Sequence, residues 1–273
     1  LMFGTAVHAQ DPKTNLKPDE TVLLYTDVLE NTPDPVFAKK ITSAGFEMGE
    51  DNKVTKPESI SKGGDLSDIS KMARIDLYFP KKPNGQMVVV CPGGGYRYAA
   101  SFREGIHVAE WMLERGITVA VLKYRIPNGH CKVPLTDVHN TFRYCRSNAE
   151  KWGVDQIGVI GFSAGGHLAA LTSTYTKPID FEGIDDIDKE DFLPNAQILC
   201  YPVINLHDKD IAHIGSGDNL IGNNYEETKD RVSRMNLSPD LLVTESTPQA
   251  FIWHTFEDEL VNVRNSLEYA AEL

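Results

Sequence analysis

At 273 residues the chain can form one large α/β domain or two small ones, and its 41% hydrophobic and 24% charged residues are ordinary for a globular protein. A net charge of −12 repels a phosphate backbone, so no nucleic-acid partner is expected. No apolar run approaches the roughly 18 residues of a membrane span, so no membrane partner is expected either.

The opening stretch LMFGTAVHAQ is apolar and contains Val7-His8-Ala9, the small–x–small ending of a secretory signal peptide. Residues 1–9 therefore read as a signal-peptide remnant cleaved after Ala9, with polar, proline-containing sequence following at Asp11, Pro12 and Lys13; an ordinary N-terminal tail is the alternative. Residues 11–70 are irregular, with one short strand candidate at Thr21–Tyr25. From Ala73 the pattern becomes regular. Arg74–Phe79 alternates like a half-exposed strand, Pro83-Asn84-Gly85 is a turn, and Met87–Cys91 is a continuous apolar run expected to be buried on both faces. A helix is expected over Arg103–Glu114, with Ile106, Ala109, Trp111 and Leu113 on its inner face and Gly116 as its stop.

The alternation continues with a strand at Ile117–Leu122 and a helix over Asp137–Lys151, opened by Thr136 or Asp137 as cap. Ile157–Ile160 is a strand and Ala164–Thr174 a helix. Strands at Ala196–Tyr201 and Ala250–His254 follow, and Asn265–Leu273 begins a helix. Such alternation implies a mainly parallel sheet with helices on both faces, in a single α/β domain over residues 10–273. The acidic stretch Asp180–Asp191 lacks the spacing of a calcium loop and reads as solvated. Cys91, Cys131, Cys145 and Cys200 have no CxxC spacing, which argues against zinc; buried free thiols are expected, with one bridge left open.

Three motifs carry chemistry. Gly161-Phe162-Ser163-Ala164-Gly165-Gly166 lies between a strand and an apolar helix, the context of a nucleophile elbow. The serine hydroxyl is lifted above the sheet edge by a strained turn, and the residues two before and two after it must lack side chains. Gly93-Gly94-Gly95, following Met87–Cys91 and about 70 residues before the serine, leaves bare amides for an oxyanion; Tyr96, Arg97 and Tyr98 break the dinucleotide alternative. Phe251–Val261 runs from strand to a loop with carboxylates, where the triad acid belongs. Asp258 is the candidate and Glu257 the runner-up.

Together these residues resemble the α/β-hydrolase superfamily, esterase/lipase branch. The runs CPGGGY, LKYRIP, PLTDV, IGVIGFSAGGHLA and YPVI are similar to bacterial acetyl xylan esterase-like carbohydrate esterases, over roughly Ala73 to Leu273. The resemblance implies Ser163 as nucleophile, Asp258 as acid, and the amides of Gly94, Gly95 and Ala164 as oxyanion hole, with no metal or organic cofactor. Pro92 stands where many esterases of this branch have histidine, which leaves the backbone donors in place. A secreted or periplasmic carboxylic-ester hydrolase is implied, acting on a small-molecule or polysaccharide ester, chiefly acetylated xylan, through a Ser-His-Asp triad.

A peptidase or lipase on the same fold, or a catalytically silent carbohydrate-binding member, are the alternatives. The stretch Tyr201–Thr247 shows no long apolar lid and carries His207, Asp208, Lys209, Asp210, Asn219, Asn223 and Asn224, which suits a sugar-bearing substrate. The triad histidine should follow the acid, yet residues 259–273 hold none. The resemblance places it after one more strand, so the expected fold is a C-terminally incomplete α/β-hydrolase fold lacking its last strand and helix. His167 and His254 are expected to be structural, and no motif recruits His107, His130, His139, His207 or His213. The sequence does not fix the oligomeric state.

Overall fold

A computed structural model describes residues 14–24, 58–69, 73–127, 129–176, 186–222 and 228–273. The signal-peptide remnant at residues 1–9, the end of the first strand candidate at Tyr25 and most of the acidic stretch before residue 186 lie outside the described residues.

The central sheet is built from β1 (Glu20–Leu23), β4 (Arg74–Tyr78), β5 (Gln86–Cys91), β7 (Thr118–Lys123), β8 (Gln156–Phe162), β9 (Gln197–Cys200) and β10 (Ala250–Trp253), in the order β1-β4-β7-β5-β8-β9-β10. The pairings β1–β4 and β4–β7 are antiparallel and all the others are parallel. Three two-residue strands, β2 (Ser59–Ile60), β3 (Leu66–Ser67) and β6 (Tyr98–Ala99), pair antiparallel into a small second sheet.

The apolar run of β5 fits its place. It lies between β7 and β8 with core packed on both faces, and Met87 to Cys91 are all buried. Alternation in β4 is misleading. Asp76 and Tyr78, expected to be half-exposed, are buried, and Tyr78 packs in one cluster with Val88, Ala109 and Met112, so this face of the sheet is covered as well. The Asp76 carboxylate is satisfied there by the Thr21 hydroxyl at 2.7 Å and by the Lys123 ammonium.

The first helix departs from expectation in phase. Phe102–Ile106 forms a π-helical turn, followed by α1 (His107–Leu113). Ala109 and Met112, three residues apart, share the buried face, whereas Trp111 is 53% exposed with the Arg115 guanidinium 3.8 Å above its ring. Next, α2 (Lys132–Ser147) starts a turn before the expected Thr136 or Asp137 cap. Pro134 sits in its first turn, where no amide is needed. Asp137 is instead buried against Arg125, whose Nη2 lies 2.6 Å from Oδ1 and whose backbone amide donates to Oδ2 at 2.8 Å. Thr136 donates to the Lys132 carbonyl at 2.9 Å. A short α3 (Ala149–Trp152) closes on Gly153 at φ 64.

Behind β8 runs α4 (Ala164–Thr174), buried along its whole length. The stretch Tyr201–Thr247 is more ordered than its polarity suggests: it forms α5 (Ile214–Ile221), α6 (Thr228–Asn236) and a 3-10 turn at Pro239–Leu241, over buried Leu206, Ile211, Leu220 and Leu237. Finally α7 (Arg264–Glu272) docks through Asn265, whose amide oxygen accepts from Ile204 and Asn205 at 2.8 and 2.9 Å. The four cysteines are free thiols.

Register is what positions the site. Cys91 pairs with Gly161, Phe162 with Cys200, and Cys200 with Trp253. The glycine loop after β5, the serine turn after β8, Tyr201 after β9 and the carboxylate loop after β10 therefore leave neighbouring strands at the same sheet edge. In open parallel sheets the carboxyl ends of strands form the ligand crevice.

Candidate active site

Ser163 has φ 51 and ψ −118, outside the regions that L-residues prefer. The glycines around it make that turn possible. A Cβ on Gly161 would overlap the Gly165 carbonyl oxygen and stand 2.7 Å from the Ala169 methyl; one on Gly165 would overlap the Cys91 carbonyl oxygen. The turn is tied down by the Ser163 amide donating to the Cys200 carbonyl at 3.0 Å and by the Ser163 carbonyl accepting from Val203 at 3.0 Å. Ser163 is also the N-cap of α4, whose unpaired first-turn amides carry partial positive charge.

The glycine loop packs directly on this turn. Were Gly93 given a Cβ, that atom would lie 2.7 Å from the Phe162 carbonyl oxygen and 3.1 Å from the Ser163 Cβ. Gly94 at φ 129 and Gly95 at φ 64 then reverse the chain. The Gly94 carbonyl accepts from Arg97 at 3.0 Å, and the Gly95 carbonyl from the Asn219 side chain at 2.8 Å. Their carbonyls are thus engaged. Among the described residues no acceptor is recorded for the amides of Gly94, Gly95 or Ala164.

Asp258 and Glu257, the two candidate acids, occupy different surroundings. Glu257 is exposed. Asp258 is half-buried, and its Oδ1 accepts from the amides of Leu260 and Val261, each at 2.9 Å. Burial pushes the Asp258 carboxyl up, but those amides and the nearby His254 ring together outweigh it, and it sits below its ordinary value. His254 itself is structural. Its Nε2 faces the Val261 carbonyl at 3.0 Å and its Nδ1 the Ser266 hydroxyl at 2.7 Å, with Asp258 Oδ2 at 3.4 Å from Nε2.

His167 is fixed in one tautomer. The Leu237 carbonyl, 2.7 Å from Nε2, can only accept, so Nε2 carries the hydrogen and Nδ1 accepts from the Tyr96 hydroxyl at 2.7 Å. Full burial lowers its pKa to about 4. His139 stacks on Phe192 at 4.1 Å, and burial takes it to about 3. The Nδ1 of His213 caps α5 by accepting the Ser216 amide at 3.1 Å. Burial lowers the His213 pKa and the Asp258 charge pulls it back, which puts this ring within the field of the candidate acid. Among the described residues no imidazole is recorded as hydrogen-bonded to the Ser163 hydroxyl.

Glu104 alone among the crevice residues escapes sequence reasoning. Gly93 in the glycine triplet, Tyr201 at the start of the run YPVI and Asn219 in the polar stretch are visible in the sequence, but only folding shows that Glu104 joins the first two and that Asn219 holds the Gly95 carbonyl. Among the described residues no group of three or more His, Cys, Asp or Glu side chains could hold a metal ion.

Residues 75–273 match the BD-FAE family. The chain belongs to that family. This BD-FAE chain is 32% identical over 207 residues to an acetylxylan esterase of Xylanibacter ruminicola, a match covering 75% of the chain and 40% of that protein. It is also 32% identical over 198 residues to an endo-1,4-beta-xylanase B of Butyrivibrio fibrisolvens, covering 68% of the chain and 29% of that protein. The BD-FAE chain therefore spans less than half the length of these two relatives. An acetyl ester-xyloside bifunctional hydrolase of Caldicellulosiruptor lactoaceticus has a similar structure, with a TM-score of 0.64 at 36% identity over 74% of this chain and 73% of that one. The fold is that of the α/β-hydrolases, with the crevice of the BD-FAE chain at the carboxyl ends of β5, β8, β9 and β10.

Proposed function

We propose that this chain carries the acyl-transfer site of a serine carboxylic-ester hydrolase, with Ser163 as nucleophile and acetylated xylan or a related plant polysaccharide as substrate. The observation that carries the reading is Ser163 at φ 51, seated at the start of α4 against the glycine loop. Ser163 Oγ attacks the ester carbonyl carbon and gives its proton to an imidazole. The carbonyl oxygen, now negative, is held by the amides of Gly94, Gly95 and Ala164, each donor of this kind being worth about 3–4 kcal/mol in comparable enzymes. Collapse expels the sugar alcohol, which takes the proton from the imidazolium. Water, activated by the same imidazole, then releases acetate from the serine.

Asp258 orients the imidazole and balances its charge. Its carboxyl lies below the ordinary value, so it stays ionised wherever a histidine base is neutral. In the chain order of this fold the histidine follows the acid. Residues 259–273 hold none, and His167 and His254 are engaged by the Leu237 and Val261 carbonyls, so neither is assigned as the base.

The names of the relatives support the substrate class: an acetylxylan esterase, a xylanase, and a hydrolase of acetyl esters and xylosides. A polymeric plant substrate also fits an exported enzyme. The test is a panel of acetylated xylan, acetylated xylo-oligosaccharides, feruloyl esters and long-chain acyl esters, assayed with the full-length protein and its Ser163→Ala variant. Short acetyl esters on sugars should be preferred. A preference for acyl chains of eight carbons or more would refute the substrate class.

A further inference from the structure

A buried-facing carboxylate behind the crevice has no part in the mechanism above. Glu104 lies in the π-helical turn Phe102–Ile106, half-buried, with its two oxygens pointing at two different motif loops. Oε2 accepts the Gly93 amide at 2.6 Å. Oε1 accepts the Tyr201 hydroxyl at 3.1 Å. The absent side chain of Gly93 is what lets the carboxylate in, for a Cβ there would stand 2.7 Å from Oε2 and 3.1 Å from the Ser163 Cβ.

Tyr201 holds the other end. It is a non-glycine residue at φ 38, a conformation costing about 1–3 kcal/mol that persists only where the surroundings impose it. Its amide donates to the Trp253 carbonyl at 2.6 Å. Its ring meets Phe162, the neighbour of Ser163, at 6.0 Å and Trp253 at 5.8 Å. One strained residue therefore touches the serine turn and the strand leading to Asp258, and its hydroxyl reaches the carboxylate that holds the glycine loop.

We propose that Glu104 and Tyr201 are positioning residues, a carboxylate–phenol tie that sets the amides of Gly94 and Gly95 at the correct height over Ser163. The inference rests on the ester-hydrolase reading. Burial raises the Glu104 carboxyl above its ordinary value; the Gly93 and Tyr201 hydrogen bonds and the Arg103 charge pull it down, and Asp65 pushes it up. The Glu104 charge in turn helps raise the pKa values of the Cys200 thiol and the Tyr124 phenol, both raised chiefly by burial. Such a group holds an amide well as a carboxylate and poorly as an acid, since protonation turns one acceptor into a donor.

The experiment uses the full-length protein with Glu104→Gln, which keeps shape but can accept at one end only, and Tyr201→Phe, which removes one hydroxyl. Steady-state kinetics on p-nitrophenyl acetate and urea unfolding are measured for both, for the double variant and for Ser163→Ala. Misplacing oxyanion donors acts on the transition state, so kcat should fall about tenfold or more in each single variant while KM moves less than about threefold. The double variant should fall little further, because both changes break one tie. Retention of kcat within about twofold overturns the inference, as does a kcat loss that only tracks loss of folded protein in the urea curves. If the wild type is active, Ser163→Ala is dead and the two variants are unchanged, only the tie has failed. If the wild type hydrolyses no ester, the ester-hydrolase reading fails and takes the tie with it.

Discussion

Gly165 and Cys91 meet backbone to backbone across the crevice floor. A Cβ on Gly165 would overlap the Cys91 carbonyl oxygen and lie 2.6 Å from the Pro92 carbonyl carbon. This approach locks the exit of β5, from which the glycine loop springs, onto the first turn of α4, whose amides complete the candidate oxyanion hole.

Because both obstacles at Gly165 are backbone atoms, Gly165→Ala cannot be absorbed by a rotamer change. It should cost about 3 kcal/mol or more and lower esterase activity together with stability. Gly153 is the matching control. It caps α3 at φ 64 with nothing within 4 Å of a built Cβ, so Gly153→Ala should cost only about 1–2 kcal/mol, the left-handed backbone penalty, and leave activity intact. Urea unfolding of the two variants separates these outcomes; equal costs would mean the Gly165 approach is not tight.

The two carboxylates of the acid loop differ in bracing, and the difference should show in turnover. Asp258→Asn leaves the amides of Leu260 and Val261 a weaker acceptor and removes the charge that orients an imidazole, so kcat should fall about 10³–10⁴-fold. Glu257→Gln, at an exposed position, should stay within about twofold. Equal losses, or a larger one at Glu257, would show that the other carboxylate faces the site.

Stability should decline with acid in a way set by His167. Its folded pKa is about 4 against an ordinary 6.5, so the unfolded chain binds the extra proton between those values. Neutral His167 therefore contributes fully above pH 6.5, and about 3 kcal/mol of stability is lost as pH falls toward 4. His139, taken to about 3, adds to the same decline. His167→Gln should be weaker at pH 7, having lost its fit to Tyr96 and Leu237, yet lose less between pH 7 and pH 4.5. Chemical unfolding at both pH values reads this directly, and an unchanged difference would refute it.

Much of this was legible in the residues alone. Met87–Cys91 and Ile157–Ile160 announce themselves because a strand buried on both faces is a run without charged or polar side chains, Ala164–Thr174 because its middle is apolar, and GxSxG because two carbonyl oxygens forbid side chains beside the serine. The small sheet was not legible, since its strands are two residues long and carry no period. The start of α2 lies before the expected Thr136 or Asp137 cap, since Pro134 in a first turn costs nothing. In Tyr201–Thr247 the apolar residues are sparse and the helices short, so no period marks them; Asn219, part of the polar stretch that suits a sugar-bearing substrate, is spent on the Gly95 carbonyl. The Glu104–Tyr201 bond spans 97 positions, and no local pattern could join its ends.

The role of Ser163 is tested most directly by covalent trapping. The full-length protein is treated with a fluorophosphonate, which reacts with a serine only where a base and an oxyanion hole activate it, and the labelled peptide is identified by mass spectrometry. One adduct is expected, on Ser163, abolished in Ser163→Ala together with all but a few per cent of the hydrolysis of acetylated xylan. An adduct on another residue, or hydrolysis that survives in Ser163→Ala, would contradict the assignment.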